Sequence, residues 1–234
     1  LAVLIDPDKF DTKSNSSLIT SLKNYPPDVL LIGGSLLSSS LEDTVLFLKK
    51  QLSIPVFLFP GNVVQITNSA DGILFLSLIS GRNPEFLIGQ QVIAAPLLEK
   101  SNLEIISTGY ILIENGITTS VEYMSNTKPI PKNKQDIILA TALAGQYLGH
   151  KVIYLETGSG AYHTVPENII KCLTKKLDSP IIVGGGIRTA KDLSRVFNAG
   201  ANMVVIGSIL EEKPELLKLF YDTTKSRQYP TTKP

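Results

Sequence analysis

The segment YLETGSG, residues 154–160, ends an apolar run with a phenol and a carboxylate two positions apart. On an extended strand that spacing turns Tyr154 and Glu156 to the same side. A carboxylate held there can act as a general base, or form a salt bridge to Arg188 or a lysine. The Tyr154 ring either borders a reaction site or fills the core. Two further apolar runs end in small residues, VGGGIR (183–188) and VIGS (205–208). Glycines at a strand-to-helix turn let main-chain N–H groups approach a ligand that a Cβ would keep away. The helix N-terminus that follows favours an anion. Each such turn alone is also a plain tight connection. Together they point to a phosphate-bearing ligand, with Gly158, Ser159 and Gly160 in one turn, Gly185 and Gly186 in the next, and Gly207 with Ser208 in the last.

Near the start of the chain, LIDPDK and LIGGS offer Asp6 and Ser35. A hard cation such as Mg²⁺ takes one or two protein oxygens and completes its shell with water and substrate phosphate. Asp6 and Ser35 supply that much, although an Asp before Pro can equally cap a turn. Asp8 and Lys9 read as solvent-facing turn residues. His163, Arg188 and Cys172 read as solvated or packing residues.

These side chains need elements to hold them. Short apolar runs rich in β-formers recur at 2–5, 29–32, 55–59, 72–76, 104–106 (extending toward 113), 151–155, 181–183 and 203–206. Segments with helical spacing lie between most of them, most clearly at 41–52, 84–100, 134–148, 166–177 and 189–199. Pro84 and Pro166 stand where a helix can begin without wasting a donor, and the glycine of NAGA (198–201) stands where one ends. Alternation of this kind implies parallel, buried strands, and eight units imply an α/β fold of the (β/α)₈ TIM-barrel type. Residues 1–234 then form a single TIM-barrel domain. Residues 60–71 are short for a crossover, so the expected barrel is a modified one with a reduced third helix. Residues 107–134 are long, poor in helical period and rich in proline at their end, so an elaborated loop over one face is expected. In such a barrel the active site lies at the C-terminal strand ends, with Asp6 at the mouth, opposite the phosphate side.

Composition narrows the classes. The formal net charge of +1 gives no electrostatic case for a nucleic-acid partner. A single cysteine and two histidines leave no disulfide and no thiolate or histidine-rich metal site. No run approaches the roughly 20 apolar residues of a membrane span, and no secretory leader pattern is visible; a cytoplasmic location is expected. The chain opens inside an apolar run, so native residues are expected before Leu1.

LIDPDK, IGGS, YLETGSG, GGGIR and VIGS, in this order and spacing, resemble the geranylgeranylglyceryl phosphate synthase family (PcrB-like prenyltransferases). The resemblance covers nearly the whole chain. GYILIENGITTSVEYMSNTKPIP (109–131) looks like the long insert of the family group that has both archaeal and bacterial members. A modified barrel with a reduced third helix is also what that family implies. The implied reaction is Mg²⁺-dependent transfer of a polyprenyl group, geranylgeranyl first, from its diphosphate to the C3 hydroxyl of sn-glycerol 1-phosphate, forming an ether lipid precursor. By the resemblance, Asp6 and Ser35 ligate Mg²⁺. Tyr154, Leu155, Glu156, Thr157, Gly158, Ser159, Gly160, Gly185, Gly186, Gly207 and Ser208 hold glycerol 1-phosphate. Glu156 takes the hydroxyl proton, and the Tyr154 ring faces an allylic cation.

Phe57, Phe59, Leu76 and Leu78, near the short third connection, are expected to line a route for the tail. A homo-oligomer and peripheral contact with membrane lipid product are further expectations. Some relatives carry a lysine where this chain has Leu4; its contribution to phosphate binding either comes from elsewhere, with Arg188 one candidate, or is absent. The readings left open are the same reaction with a longer donor such as heptaprenyl diphosphate, a phosphate-barrel isomerase or aldolase, and a non-catalytic phosphate-binding scaffold.

Overall fold

A computed structural model of the chain describes residues 1–10 and 16–227. Eight strands close into a barrel in chain order, every neighbouring pair parallel. They are β1 (Ala2–Ile5), β2 (Val29–Ile32), β3 (Val56–Leu58), β4 (Gly72–Leu78), β5 (Glu104–Leu112), β6 (Val152–Glu156), β7 (Ile181–Gly184) and β8 (Met203–Ile206). Closure is made where β1 meets β8, with Ala2 opposite Val205 and Val3 opposite Ile206.

The period of two sorts each strand's side chains. One set fills the barrel interior, including Ala2, Leu31, Leu74, Leu78, Tyr110, Leu112, Tyr154, Ile182 and Val205. The alternate set, including Val3, Ile5, Leu30, Ile32, Leu155 and Val183, packs beneath the outer helices. These helices are α1 (Ser16–Asn24), α2 (Leu41–Gln51), α3 (Gln90–Glu99), α4 (Ser120–Ser125), α5 (Gln135–Tyr147), α6 (Glu167–Lys176), α7 (Ala190–Asn198), α8 (Ser208–Glu212) and α9 (Leu216–Lys225).

Several boundaries differ from the sequence expectation. Strand β4 runs two residues longer, and β5 takes the expected extension, because the two pair continuously from Gly72–Glu104 to Leu78–Tyr110. The expected helix over 84–100 divides into a π turn, Glu85–Gly89, and α3, which carries Pro96 internally. Helices α1, α8 and α9 were not expected. Helix α9 exists through packing, burying Leu217, Phe220 and Thr224 beside α7.

Among the described residues no helix follows β3; residues 60–71 cross to β4 as turns and loop. The third helix is therefore replaced outright. The stretch 107–134 is not all loop. Its first part is β5, and Thr119 caps the short helix α4, whose Ser120, Val121, Tyr123, Met124 and Ser125 line the cavity at the strand ends. Left-handed Asn126 (φ 49°) ends α4.

Candidate active site

A cavity of about 760 Å³ opens at the C-terminal strand ends. Asp6, Lys9, Gly34, Ser35, Glu156, Gly158, Ser159, Gly160, Gly185, Gly186, Arg188, Gly207, Ser208 and Glu211 stand at its polar end. Ile73, Phe75, Leu76, Leu78, Phe86, Ala94, Val121 and Met124 line an apolar arm. That arm opens where the third helix is missing and is flanked by α3 and α4.

Glu156 ends β6 with its side chain inward and 6% exposed. Its Oε1 accepts the Gly158 N–H at 2.6 Å. Burial raises its pKa from 4.5 to about 7, held back by the Gly158 N–H, the neighbouring Tyr154 hydroxyl and the Thr157 N–H. A carboxyl poised there exchanges a proton at neutral pH. The expected alternative, a salt bridge to Arg188, is not made: Arg188 donates to the Gly160 carbonyl at 3.3 Å and lies over the Tyr162 ring.

Tyr154 is fully buried, and its hydroxyl makes no hydrogen bond of good geometry. Its ring stacks on Phe59 (centroids 5.3 Å apart) and tilts against Tyr110 (5.2 Å), so aromatic rings wall the cavity below Glu156. Burial and the Glu156 charge push both tyrosine pKa values up, keeping them neutral.

The three glycine turns stand side by side. Ser159 Oγ and Ser208 Oγ lie 2.9 Å apart, joining the turn after β6 to the one after β8. Gly158, Gly160, Gly185 and Gly186 all have φ between 66° and 97°. Much of the need for bare backbone is internal. A Cβ on Gly184 would lie 2.6 Å from Glu156 Oε2, and one on Gly185 would lie 2.9 Å from the Gly158 nitrogen. A Cβ on Gly186 would lie 2.6 Å from the Thr164 nitrogen. The VGGG run thus makes room for Glu156 as well as for a ligand.

Two expected site residues are not in the cavity. Leu155 alternates outward and is fully buried beneath the helices. Thr157 is buried below the turn, where its carbonyl accepts from Asn115 Nδ2. Phe57 does not line the tail route; its ring abuts the Gly72 backbone instead. Phe59, Leu76 and Leu78 do line it.

Asp6 is at the mouth but not opposite the phosphate side, because β1 neighbours β8. Its Oδ1 accepts the Asp8 N–H at 3.1 Å and sits 3.3 Å from where a Gly34 Cβ would be. The carboxylate therefore faces the loop that carries Ser35. One carboxylate, one hydroxyl and open cavity beside them match a Mg²⁺ ion held mostly by diphosphate and water. Among the described residues no cluster of three His, Cys, Asp or Glu competes as a metal site.

Asp8 and Lys9 are exposed turn residues, as expected, and Lys9 also reaches the mouth. Lys9 Nζ lies 3.6 Å from Asp6 and 3.2 Å from Glu211 on α8, inside the cavity wall, which gives the mouth a lysine despite Leu4. The DPDK spacing could have signalled that contact. Nothing local signals the contacts of Glu211 with Lys9, Asn115 with Thr157 or the buried Gln65 with Gly34, which join residues remote in sequence.

A closed (β/α)₈ barrel with a near-neutral buried carboxylate, adjoining glycine turns and an apolar arm defines a barrel built for a ligand with an anionic head and a long tail. The chain belongs to the PcrB family, whose model matches residues 2–225. It is 48% identical over 217 residues to the geranylgeranylglyceryl phosphate synthase of Spirosoma linguale, covering 92% of this chain and 87% of that one. The enzyme of that name from Methanosphaera stadtmanae is 39% identical over 222 residues, covering 94% and 90%. The crystal structure of (S)-3-O-geranylgeranylglyceryl phosphate synthase from Thermoplasma acidophilum, in complex with substrate sn-glycerol-1-phosphate, superposes with a TM-score of 0.90 at 31% identity. It covers 97% of this chain and 93% of that one.

Proposed function

We propose that this protein is a Mg²⁺-dependent prenyltransferase that joins a polyprenyl diphosphate, geranylgeranyl diphosphate foremost, to the C3 hydroxyl of sn-glycerol 1-phosphate. The observation that carries the reading is one cavity with Glu156 and the glycine turns at its polar end and an apolar arm leading away. Glycerol phosphate docks on the turns at Gly158, Ser159, Gly160, Gly185, Gly186, Gly207 and Ser208, which aims its C3 hydroxyl at Glu156. The diphosphate lies between Asp6, Ser35 and the loop after β2, and the prenyl tail enters the apolar arm.

In the reaction the prenyl C1–oxygen bond to diphosphate breaks and its electron pair leaves with the diphosphate. The glycerol O3–C1 ether bond forms, and the O3 proton passes to Glu156. Asp6 and Ser35 would hold Mg²⁺, which when bound would offset the charge that gathers on the leaving diphosphate. The rings of Phe59, Tyr110 and Tyr154 present π density to positive charge on the allylic carbon. Holding hydroxyl and donor together removes the entropic cost of a bimolecular encounter.

A homo-oligomer, a cytoplasmic location and peripheral contact with membrane lipid product belong to the same reading. Helix α3 is apolar on nearly every side, yet leaves Ile88 before it and Val92, Ile93 and Leu97 within it exposed. A helix apolar all round is normally covered, and a second copy of the chain is its expected cover. Among the described residues no helix is long and apolar enough to cross a membrane.

The deciding experiment incubates the protein with Mg²⁺, labelled sn-glycerol 1-phosphate and prenyl diphosphates from geranyl to heptaprenyl. Label moving to the lipid phase with one donor establishes the transferase and names the tail. No transfer with any donor, by protein shown to bind glycerol 1-phosphate, sinks the reading.

A further inference from the structure

With the third helix replaced, the ends of β2 and β3 touch backbone to backbone: a Cβ on Gly61 would lie 2.9 Å from Ser35 Cα. Gln65, 2% exposed, rises from the replacing segment into this junction. Its Nε2 donates to the Gly34 carbonyl at 2.8 Å, and its Oε1 accepts from the Gly61 N–H at 3.0 Å and, more weakly, from the Gly34 N–H at 3.5 Å. A side-chain amide offers one donor edge and one acceptor edge, as a peptide does. Gln65 thus takes the part of a backbone rung between two strand ends that have stopped pairing. Farther along the same loop, Asp8 accepts the Ser38 N–H on both oxygens (3.0 and 2.9 Å) and the Ser39 N–H at 2.6 Å. Loop 33–39, which carries Ser35, is therefore pinned near one end by Gln65 and near the other by Asp8, while Asp6 faces it at Gly34, next to Ser35.

We propose that Gln65 and Asp8 are positioning residues that preform loop 33–39 to receive metal-bound diphosphate, so that the segment in place of the third helix is part of the donor site. Neither side chain needs to touch the ligand. Each fixes backbone that would otherwise have to be ordered on binding, which is a cost charged against affinity. The inference rests on the functional reading above, and its test is a binding measurement that separates the two.

Calorimetric titration of the full chain with Mg²⁺ plus inorganic diphosphate, and separately with sn-glycerol 1-phosphate, supplies that test. Gln65→Ala and Asp8→Ala are expected to weaken Mg²⁺-diphosphate binding on the order of ten- to a hundredfold, the usual effect of removing a residue that orients ligands. Glycerol 1-phosphate affinity stays at the wild-type value, which also shows that the variants are folded. Asp8→Asn keeps an acceptor oxygen and recovers most of the loss. Gln65→Glu sets an oxygen against the Gly34 carbonyl in place of the donor, and loses at least as much as alanine. Variants that bind Mg²⁺-diphosphate as the wild type does, or that lose both ligands equally, overturn the positioning role. A wild type that binds glycerol 1-phosphate but not Mg²⁺-diphosphate overturns the donor site itself, and the inference with it.

Discussion

Glu156 Oε2 lies 2.6 Å from the point at which a Cβ on Gly184 would stand, nearer than any real Cβ contact allows. The end of β7 thus shapes the seat of the carboxylate at the end of β6. Gly184→Ala must push the Tyr154 hydroxyl and the Glu156 carboxylate aside or shift the strand. Overpacking of this kind costs about 1–3 kcal/mol, and a displacement of the base by an ångström can cost on the order of a hundredfold in rate. We expect kcat to fall roughly that far, with a lowered Tm but little change in glycerol 1-phosphate binding. Normal kcat in a folded variant would show that the carboxylate's position is not critical.

Glu156→Gln is expected to lower kcat by roughly a hundred- to ten-thousandfold, the range for loss of a positioned base, with diphosphate affinity little changed. The base works deprotonated, so wild-type kcat/KM should rise with pH through about 7, where burial sets the Glu156 pKa. Gln at this position should erase that limb. A pH–rate profile of the residual activity decides the matter, and an unaltered limb assigns the titration to another group.

The same carboxyl makes a stability prediction of opposite sense. Its folded pKa lies above the unfolded value, so the folded state binds the proton more tightly. That contribution is fully present below about pH 4.5 and is lost as pH rises to about 7. The shift corresponds to roughly 3 kcal/mol. Denaturation at a series of pH values should show Glu156→Gln gaining stability over the wild type at pH 8, with the gap closing toward pH 4.5. A gap independent of pH would mean that the carboxyl titrates normally.

Asp6→Asn should abolish Mg²⁺-dependent turnover while leaving glycerol 1-phosphate binding largely intact. Asp6 also meets Lys9, which Glu211 holds from the other side, so the neutral side chain leaves Lys9 a partner. Turnover and Mg²⁺ dependence at wild-type levels would remove Asp6 from the donor site.

Val92→Asp places a charge in the exposed apolar face of α3. Sedimentation is expected to show a smaller species than the wild type at equal concentration, with the barrel still folded by circular dichroism. An unchanged species, whether oligomer or monomer, would free that face from any role in self-association.

Much of this was legible along the chain because it depends on near neighbours. Eight apolar runs between helical segments led to the barrel, and the two-residue period turned Tyr154 and Glu156 inward together. The same period turns the Leu155 side chain outward, although the resemblance placed the whole segment 154–160 in the site. The short span 60–71 announced a reduced helix, which the structure replaces with turns and loop, but nothing in it announced that Gln65 would bind Gly34. The bonds to Gly34 need two strand ends brought together in the sheet.

What the sequence determined by itself, then, was periodic: which runs are strands, which side chains share a face, and where glycine permits a turn. The tertiary structure alone decided what depends on distance through space. It set Asp6 near the glycine turn after β8, because β1 closes on β8. It made the glycines after β7 the seat of a carboxylate from β6. It brought the Glu156 pKa near neutrality, because burial in a barrel interior removes the water that stabilises charge. Periodicity belongs to the local backbone and can be read from neighbours, whereas desolvation and cross-barrel contact come into being only when the barrel closes.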